Sequence, residues 1–184
     1  MSAPRVQHYP ECWGDLCGGI QPEGTWKDSW RALEAAHKKG TIRSLGVSNF
    51  DARQVKELLA FATVKPSVVQ ANSDPFAANA ELQNVCAQNG VAFVAYSTLG
   101  TQWWGRGYHN GNPVLNAPAV VDAASAHGVS PAQAVLRWAL HRNQCVIPRS
   151  GNAAHIAANR RLDFELTDDE LRRIDELDGT IPPS

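Results

Sequence analysis

Ser67-Val68-Val69-Gln70-Ala71-Asn72 and Val91-Ala92-Phe93-Val94-Ala95-Tyr96-Ser97 are short, continuous apolar runs, and between them Leu82, Val85 and Cys86 recur at helical spacing before Gly90. Runs of this length read as strands buried on both faces, and the i, i+3, i+4 spacing reads as a helix laid against them. Gly90 supplies the helix stop. Strand, helix and strand in that order make a βαβ unit, and repeated units make a parallel sheet.

The rhythm continues on both sides. Upstream, Ser44-Leu45-Gly46-Val47-Ser48-Asn49 reads as a strand, followed by a helix marked by Val55, Leu58, Leu59 and Ala62. An earlier helix from about Ser29 to Lys39, ended by Gly40, is expected to turn Trp30 and Leu33 inward. Downstream, Ser130 and Pro131 open a helix as N-cap and first residue, with Ala132, Val135, Leu136, Ala139 and Leu140 as its apolar stripe. Cys145-Val146-Ile147-Pro148 is a fourth strand, and Thr167-Asp168-Asp169-Glu170 is a capping box before Leu171, Ile174 and Leu177. Residues 9–26 and 100–118 read as long loops. Loops of that length in a compact domain are commonly functional. Both follow strands, which places them at the C-terminal face of the sheet, where α/β proteins bind ligands.

Composition narrows the function classes. The 184 residues, 43% hydrophobic and 19% charged, are expected to form a single domain over 1–184. The net charge of -1 leaves no basic face for a phosphate backbone, so a nucleic-acid partner is not expected. No apolar run approaches about 18 residues, so no membrane span is expected. Met1-Ser2-Ala3-Pro4-Arg5-Val6 lacks the apolar core of a secretory signal, which points to a cytoplasmic protein. Cysteines 12, 17, 86 and 145 lack paired metal-ligand spacing, so reduced thiols and no metal are expected.

Five motifs carry a family resemblance. Gly46-Val47-Ser48-Asn49-Phe50, Ala95-Tyr96-Ser97-Thr98-Leu99-Gly100 and Val146-Ile147-Pro148-Arg149-Ser150 resemble the GVSNF, AYSPLG and IPKS motifs of aldo-keto reductases. The helix from Ser130 through Leu140 and the segment from Gly24 through Glu34 are similar to helices of the same family, and order and spacing hold from about residue 6 to 179. The resemblance implies NAD(P)H-dependent reduction of aldehydes and ketones on a (β/α)8 TIM barrel. Such a barrel takes about 200 to 400 residues. The chain matches the part from the end of strand four through strand eight, so the expected fold is a partial barrel without the N-terminal βα units.

Site residues follow from the resemblance position by position. His8 falls where the family has a histidine that polarises the substrate carbonyl, and Tyr9 on an aromatic pocket position. Ser48, Asn49 and Gln70 match the residues that hydrogen-bond the nicotinamide carboxamide, a task suited to side chains with donors and acceptors. Tyr96 matches the ring that stacks on the nicotinamide, and Ser97, Leu99 and Thr101 would follow the pyrophosphate. Arg149, Ser150, Gly151 and Asn152 would hold the adenosine phosphate end, with Asn159 retained. Trp103, Trp104 and the loop around Tyr108 would wall the substrate pocket. Two positions depart from the pattern, His155 for an arginine and Ala158 for a glutamate. Losing a charge-assisted hydrogen bond costs about 1.5–3 kcal/mol. NADP(H) is expected ahead of NAD(H), with that preference weakened by His155.

The proton donor has no match. In the family it is a tyrosine tuned by a lysine and an aspartate, and acid catalysis of this kind gives about 10²- to 10⁴-fold. The tyrosines here are Tyr9, Tyr96 and Tyr108, and Lys27, Lys38, Lys39, Lys56 and Lys65 all lie away from strand ends. The isolated chain is therefore expected to be inactive, its substrate a small carbonyl compound only when the site is complete. The alternatives are a catalytically dead nucleotide-binding or interaction module and a truncated gene product. An opened barrel exposes strand edges, so self-association is also expected.

Overall fold

The structure, a computed structural model, describes residues 24–109, 111–180 and 182. The expectations placed on His8, Tyr9, Cys12, Cys17 and most of the loop over 9–26 lie outside them.

Helix α1 (Trp26–Lys38) starts three residues earlier than periodicity predicts. The cause is local: the Asp28 carboxylate accepts from Thr25 N at 2.7 Å and from Thr25 Oγ1 at 2.8 Å, closing a capping box ahead of Ser29. Trp30 is buried at 2% exposure, as expected, but Leu33 points outward at 37%. The inward stripe instead runs through Trp30 and Glu34, because the Glu34 carboxylate accepts from Thr63 N and Val64 N further along the chain.

Four βα units follow. Strands β1 (Gly46–Ser48), β2 (Val68–Asn72), β3 (Ala92–Tyr96) and β4 (Cys145–Val146) form one parallel sheet in chain order. Helix α2 (Ala52–Phe61) begins where Asp51 accepts from Gln54 N and Gln54 Oε1 accepts from Asp51 N. Helix α3 (Ala80–Gln88) ends with Gly90 at φ +67°, a left-handed turn in which Val91 N donates to Cys86 O.

Residues 100–118 are less irregular than expected. They hold helices α4 (Thr101–Trp104) and α5 (Pro113–Asn116), and α6 (Pro118–Ala126) starts at their end. Asn112 caps α5, accepting from Val114 N and Leu115 N on Oδ1 while Nδ2 donates to Leu99 O at 2.6 Å. Helices α7 (Pro131–His141), α8 (Ala153–Arg160) and α9 (Asp168–Asp175) complete the described chain, with the predicted N-cap at Ser130, which Gln133 completes as a capping box, and the predicted capping box at Thr167.

Among the described residues, helices cover one sheet face and not the other. Val69, Ala71, Phe93 and Ala95, on alternate positions, pack with Val55, Leu82, Val85 and Cys86 from α2 and α3. A second cluster joins α6, α7 and α9 through Val120, Val135, Trp138 and Ile174. Gly46, Ser48, Ala92 and Cys145, on the opposite face, are exposed. Burying apolar side chains contributes about 1.5–3 kcal/mol each, so the helices are held on this one face. Cys86 and Cys145 are free thiols, and burial raises the pKa of Cys86.

Candidate functional site

The C-terminal ends of β1, β2 and β3 bring Ser48, Asn49, Gln70 and Tyr96 to one rim of the sheet. Pairing of Ser48 with Gln70, and of Asn72 with Tyr96, fixes their relative heights. Asn49 leaves the strand at φ 61°, a left-handed conformation that Asn tolerates better than most residues. Its backbone N donates to Gln70 O at 2.9 Å. The Tyr96 hydroxyl donates to Asn49 Oδ1 at 2.7 Å, joining two predicted site residues across 47 positions of chain.

Beyond Tyr96 the chain turns sharply. Ser97 has φ 53°, and Gly100 N donates to Ser97 O at 2.8 Å. Gly100 has φ +83°, and a Cβ there would sit 2.7 Å from both Asn112 Oδ1 and Val114 Cγ2. Glycine is required on both counts. The turn and the end of β4 enclose a cleft of about 270 Å³ lined by Tyr96, Ser97, Leu99, Thr101 and Arg149, together with Thr98, Ile147 and Pro148. The first five are all residues the sequence assigns to a dinucleotide. Ligand pockets commonly hold about 300–1,000 Å³, so this cleft suits a portion of such a ligand.

The remaining residues are arranged differently. Ser150, Gly151, Asn152 and His155 surround the start of α8, where Asn152 N donates to Ser150 Oγ at 3.1 Å. Asn152 Oδ1 accepts from Ala154 N at 2.8 Å and His155 N at 3.4 Å, so this helix start is capped by its own chain. Asn159 is half-buried on the same helix, and no residue of α8 is fully buried.

The two tryptophans part company. Trp103 is 6% exposed and packs edge-on to Phe76 and Tyr108, while Nε1 donates to Asp74 Oδ1 at 3.4 Å. Its ring belongs to the core rather than to a pocket wall, which corrects the expectation from its place in a long loop. Trp104 is 63% exposed, stacks edge-on with His109, and lines a shallow basin with Tyr108 and Asn112.

Two features here have no site role assigned from the sequence. Asp74, two residues beyond β2, is buried, and burial raises its pKa against the opposing hydrogen bonds from Phe76 N and Trp103. Ile147 and Pro148 line the same cleft as Tyr96, and only the folded sheet brings them there. Among the described residues no group of three or more His, Cys, Asp or Glu could hold a metal ion, and no helix is long and apolar enough to cross a membrane.

Comparison with known proteins places this geometry. Aldo-keto reductase family 1 member A1 of Gallus gallus is 36% identical over 185 residues, covering 94% of this chain and 56% of that protein. A probable NAD(P)H-dependent D-xylose reductase of Emericella nidulans is 34% identical over 181 residues, covering 95% and 56%. A Bombyx mori aldo-keto reductase solved in complex with NADP superposes with a TM-score of 0.76 at 29% identity, over 86% of this chain and 52% of that one. An aldo-keto reductase complexed with NADPH gives 0.79 at 28% identity, over 88% and 50%. The chain thus spans about half the length of its relatives, and its sheet is part of a (β/α)8 barrel. A model of the aldo/keto reductase family matches residues 6–179, and the chain belongs to that family.

Proposed function

We propose that this chain carries the cofactor-holding part of an NAD(P)H-dependent carbonyl reductase acting on small aldehydes or ketones. The observation that carries the reading is one cleft lined together by Tyr96, Ser97, Leu99, Thr101 and Arg149. A flat aromatic ring and a guanidinium lining one cleft suit a dinucleotide with a heterocycle and a phosphate. Ser48, Asn49 and Gln70 add hydroxyl and amide groups on the rim they share with Tyr96, the chemistry that a carboxamide needs.

The residues present therefore fit a nicotinamide cofactor, which when bound supplies hydride to a carbonyl carbon. The chain's own part is to bind and orient: Tyr96 presents one ring face, the strand ends fix the carboxamide, and Arg149 meets a phosphate. Arg149 favours a 2′-phosphorylated ribose, and hence NADP(H), while the absence of a second cation at His155 weakens that choice. Proton delivery to the carbonyl oxygen falls to groups other than Ser48, Asn49, Gln70 and Tyr96. His8 is assigned to polarising that oxygen and Tyr9 to the pocket wall.

Titration of the purified chain with NADPH and NADH, followed by tryptophan quenching, tests the reading. Saturable quenching, tighter for NADPH and with that preference lost in Arg149→Ala, is expected. NADPH-dependent loss of a reactive aldehyde in the same samples is expected to be absent until a Tyr-Lys-Asp group completes the site. Quenching by neither nucleotide would overturn the cofactor assignment.

A further inference from the structure

Asn49 is held at three points. Its backbone N donates to Gln70 O, its left-handed φ of 61° sets the direction of Cβ, and its Oδ1 accepts from the Tyr96 hydroxyl at 2.7 Å. A primary amide has one acceptor atom and one donor atom, and an unrestrained Asn can present either by turning over. The Tyr96 hydroxyl donates to Oδ1, the acceptor atom of that amide. The phenol thus engages the oxygen. The nitrogen, Nδ2, has no hydrogen-bond partner among the described residues, and Asn49 is exposed at the rim.

We propose that the Tyr96 hydroxyl is a positioning group that locks the Asn49 amide with Nδ2 outward, so that this corner of the site selects a carbonyl-oxygen acceptor on the ligand. The inference rests on the cofactor reading above and deepens it, because it assigns which half of the ligand's carboxamide meets Asn49. The carboxamide oxygen accepts from Nδ2. Its NH₂ must then find an acceptor on Ser48 or Gln70, both of which lie at the same sheet level. Tyr96 consequently has two separable roles: the ring offers a stacking face, and the hydroxyl sets the hydrogen-bond polarity of its neighbour.

The test separates these roles with the intact chain and NADPH as probe. Tyr96→Phe keeps the ring and removes the hydroxyl, and is expected to weaken NADPH binding about 2- to 12-fold, the fold-change of one neutral hydrogen bond. Asn49→Ala weakens binding as well, and in that background Tyr96→Phe is expected to have no further effect. Asn49→Asp keeps the acceptor for Tyr96 but removes the donor, so it should bind NADPH no better than Asn49→Ala. The thionicotinamide analogue of NADPH, whose sulfur is a poorer acceptor, should bind more weakly than NADPH to the native chain, and Tyr96→Phe should narrow that gap. Thermal melts confirm that each variant folds. Multiplying effects in the double variant, native-like binding by Asn49→Asp, or an unchanged gap in Tyr96→Phe would overturn the inference while leaving the cofactor reading intact. Failure of the native chain to bind NADPH would overturn both.

Discussion

Asp74 shows how one buried group organises the loops above the sheet. Its Oδ1 accepts from Phe76 N at 2.8 Å and from Trp103 Nε1 at 3.4 Å, while Oδ2 has no partner among the described residues. Burial pushes the carboxyl pKa up. The bonds from Phe76 and Trp103, and then the Arg106 guanidinium seated over the Trp103 ring, pull it down. A carboxyl whose folded pKa is raised favours the fold while protonated. Its contribution is complete below the unfolded value and is lost as pH rises through the folded one. Asp74→Asn keeps an acceptor for Phe76 and Trp103 and cannot ionise. Measured from about pH 4 upward, the melting temperature of the native chain relative to Asp74→Asn should therefore fall as pH rises. A gap constant across that range would show that Asp74 does not ionise in the fold. None of this was legible in the sequence, where Trp103 reads as a pocket residue because it lies in a long segment after a strand. Its partner Asp74 is 29 positions away, and only the fold joins them. The site residues on strand ends were legible because motif and strand end coincide there.

Between elements, the telling contact is the one that periodicity misses. Glu34, on the inward side of α1, accepts from Thr63 N at 2.7 Å and Val64 N at 2.8 Å in the connection from α2 to β2. Those bonds, first Val64 and then Thr63, hold its pKa below the usual carboxylate value against the opposing effect of desolvation. A lowered pKa means that the ionised group stabilises the fold above the unfolded value, and that this is lost as pH falls through the folded one. Glu34→Ala leaves two amide donors without an acceptor. It is expected to cost about 2 kcal/mol or more, read as a lower urea midpoint at pH 7. Glu34→Gln, which keeps one carbonyl oxygen, should recover most of the loss. Equal midpoints for the native chain and Glu34→Ala would mean that water replaces the carboxylate at no cost. The same contact explains the error at Leu33: a hydrophobic pattern ranks leucine over glutamate for the inside, but two orphaned backbone donors outrank one leucine. Capping pairs Ser130–Gln133 and Thr167–Glu170 place helix starts where sequence and structure agree. The short helices α4 and α5 escaped notice because four residues hold too little periodicity to read.

For the molecule as a whole, the uncovered sheet face sets the expected behaviour. Among the described residues β1 pairs only with β2 and β4 only with β3, so each leaves one line of backbone groups unpaired. The face away from the helices carries Gly46, Ser48, Val68, Gln70, Ala92, Val94 and Cys145 in register, and Ile147 beyond β4 is 51% exposed. In a closed eight-stranded barrel this face is interior and packed with side chains. A strand edge with open hydrogen-bonding groups beside exposed apolar side chains favours pairing with another strand. We therefore expect the purified chain to associate with a second copy through this face. Sedimentation at tens of micromolar concentration should show dimers or larger species. Ile147→Lys, which sets a charge beside the β4 edge, should shift the distribution toward monomer without abolishing a cooperative melt. The helix-covered core, centred on Trp138 with its Nε1 donating to Asp175 Oδ1 at 2.8 Å, lies on the other side of the sheet, so the substitution leaves it untouched. A native chain that sediments as a single monomeric species and melts cooperatively would show that the open face is stable in water. The partial barrel would then have to be regarded as a self-sufficient fold.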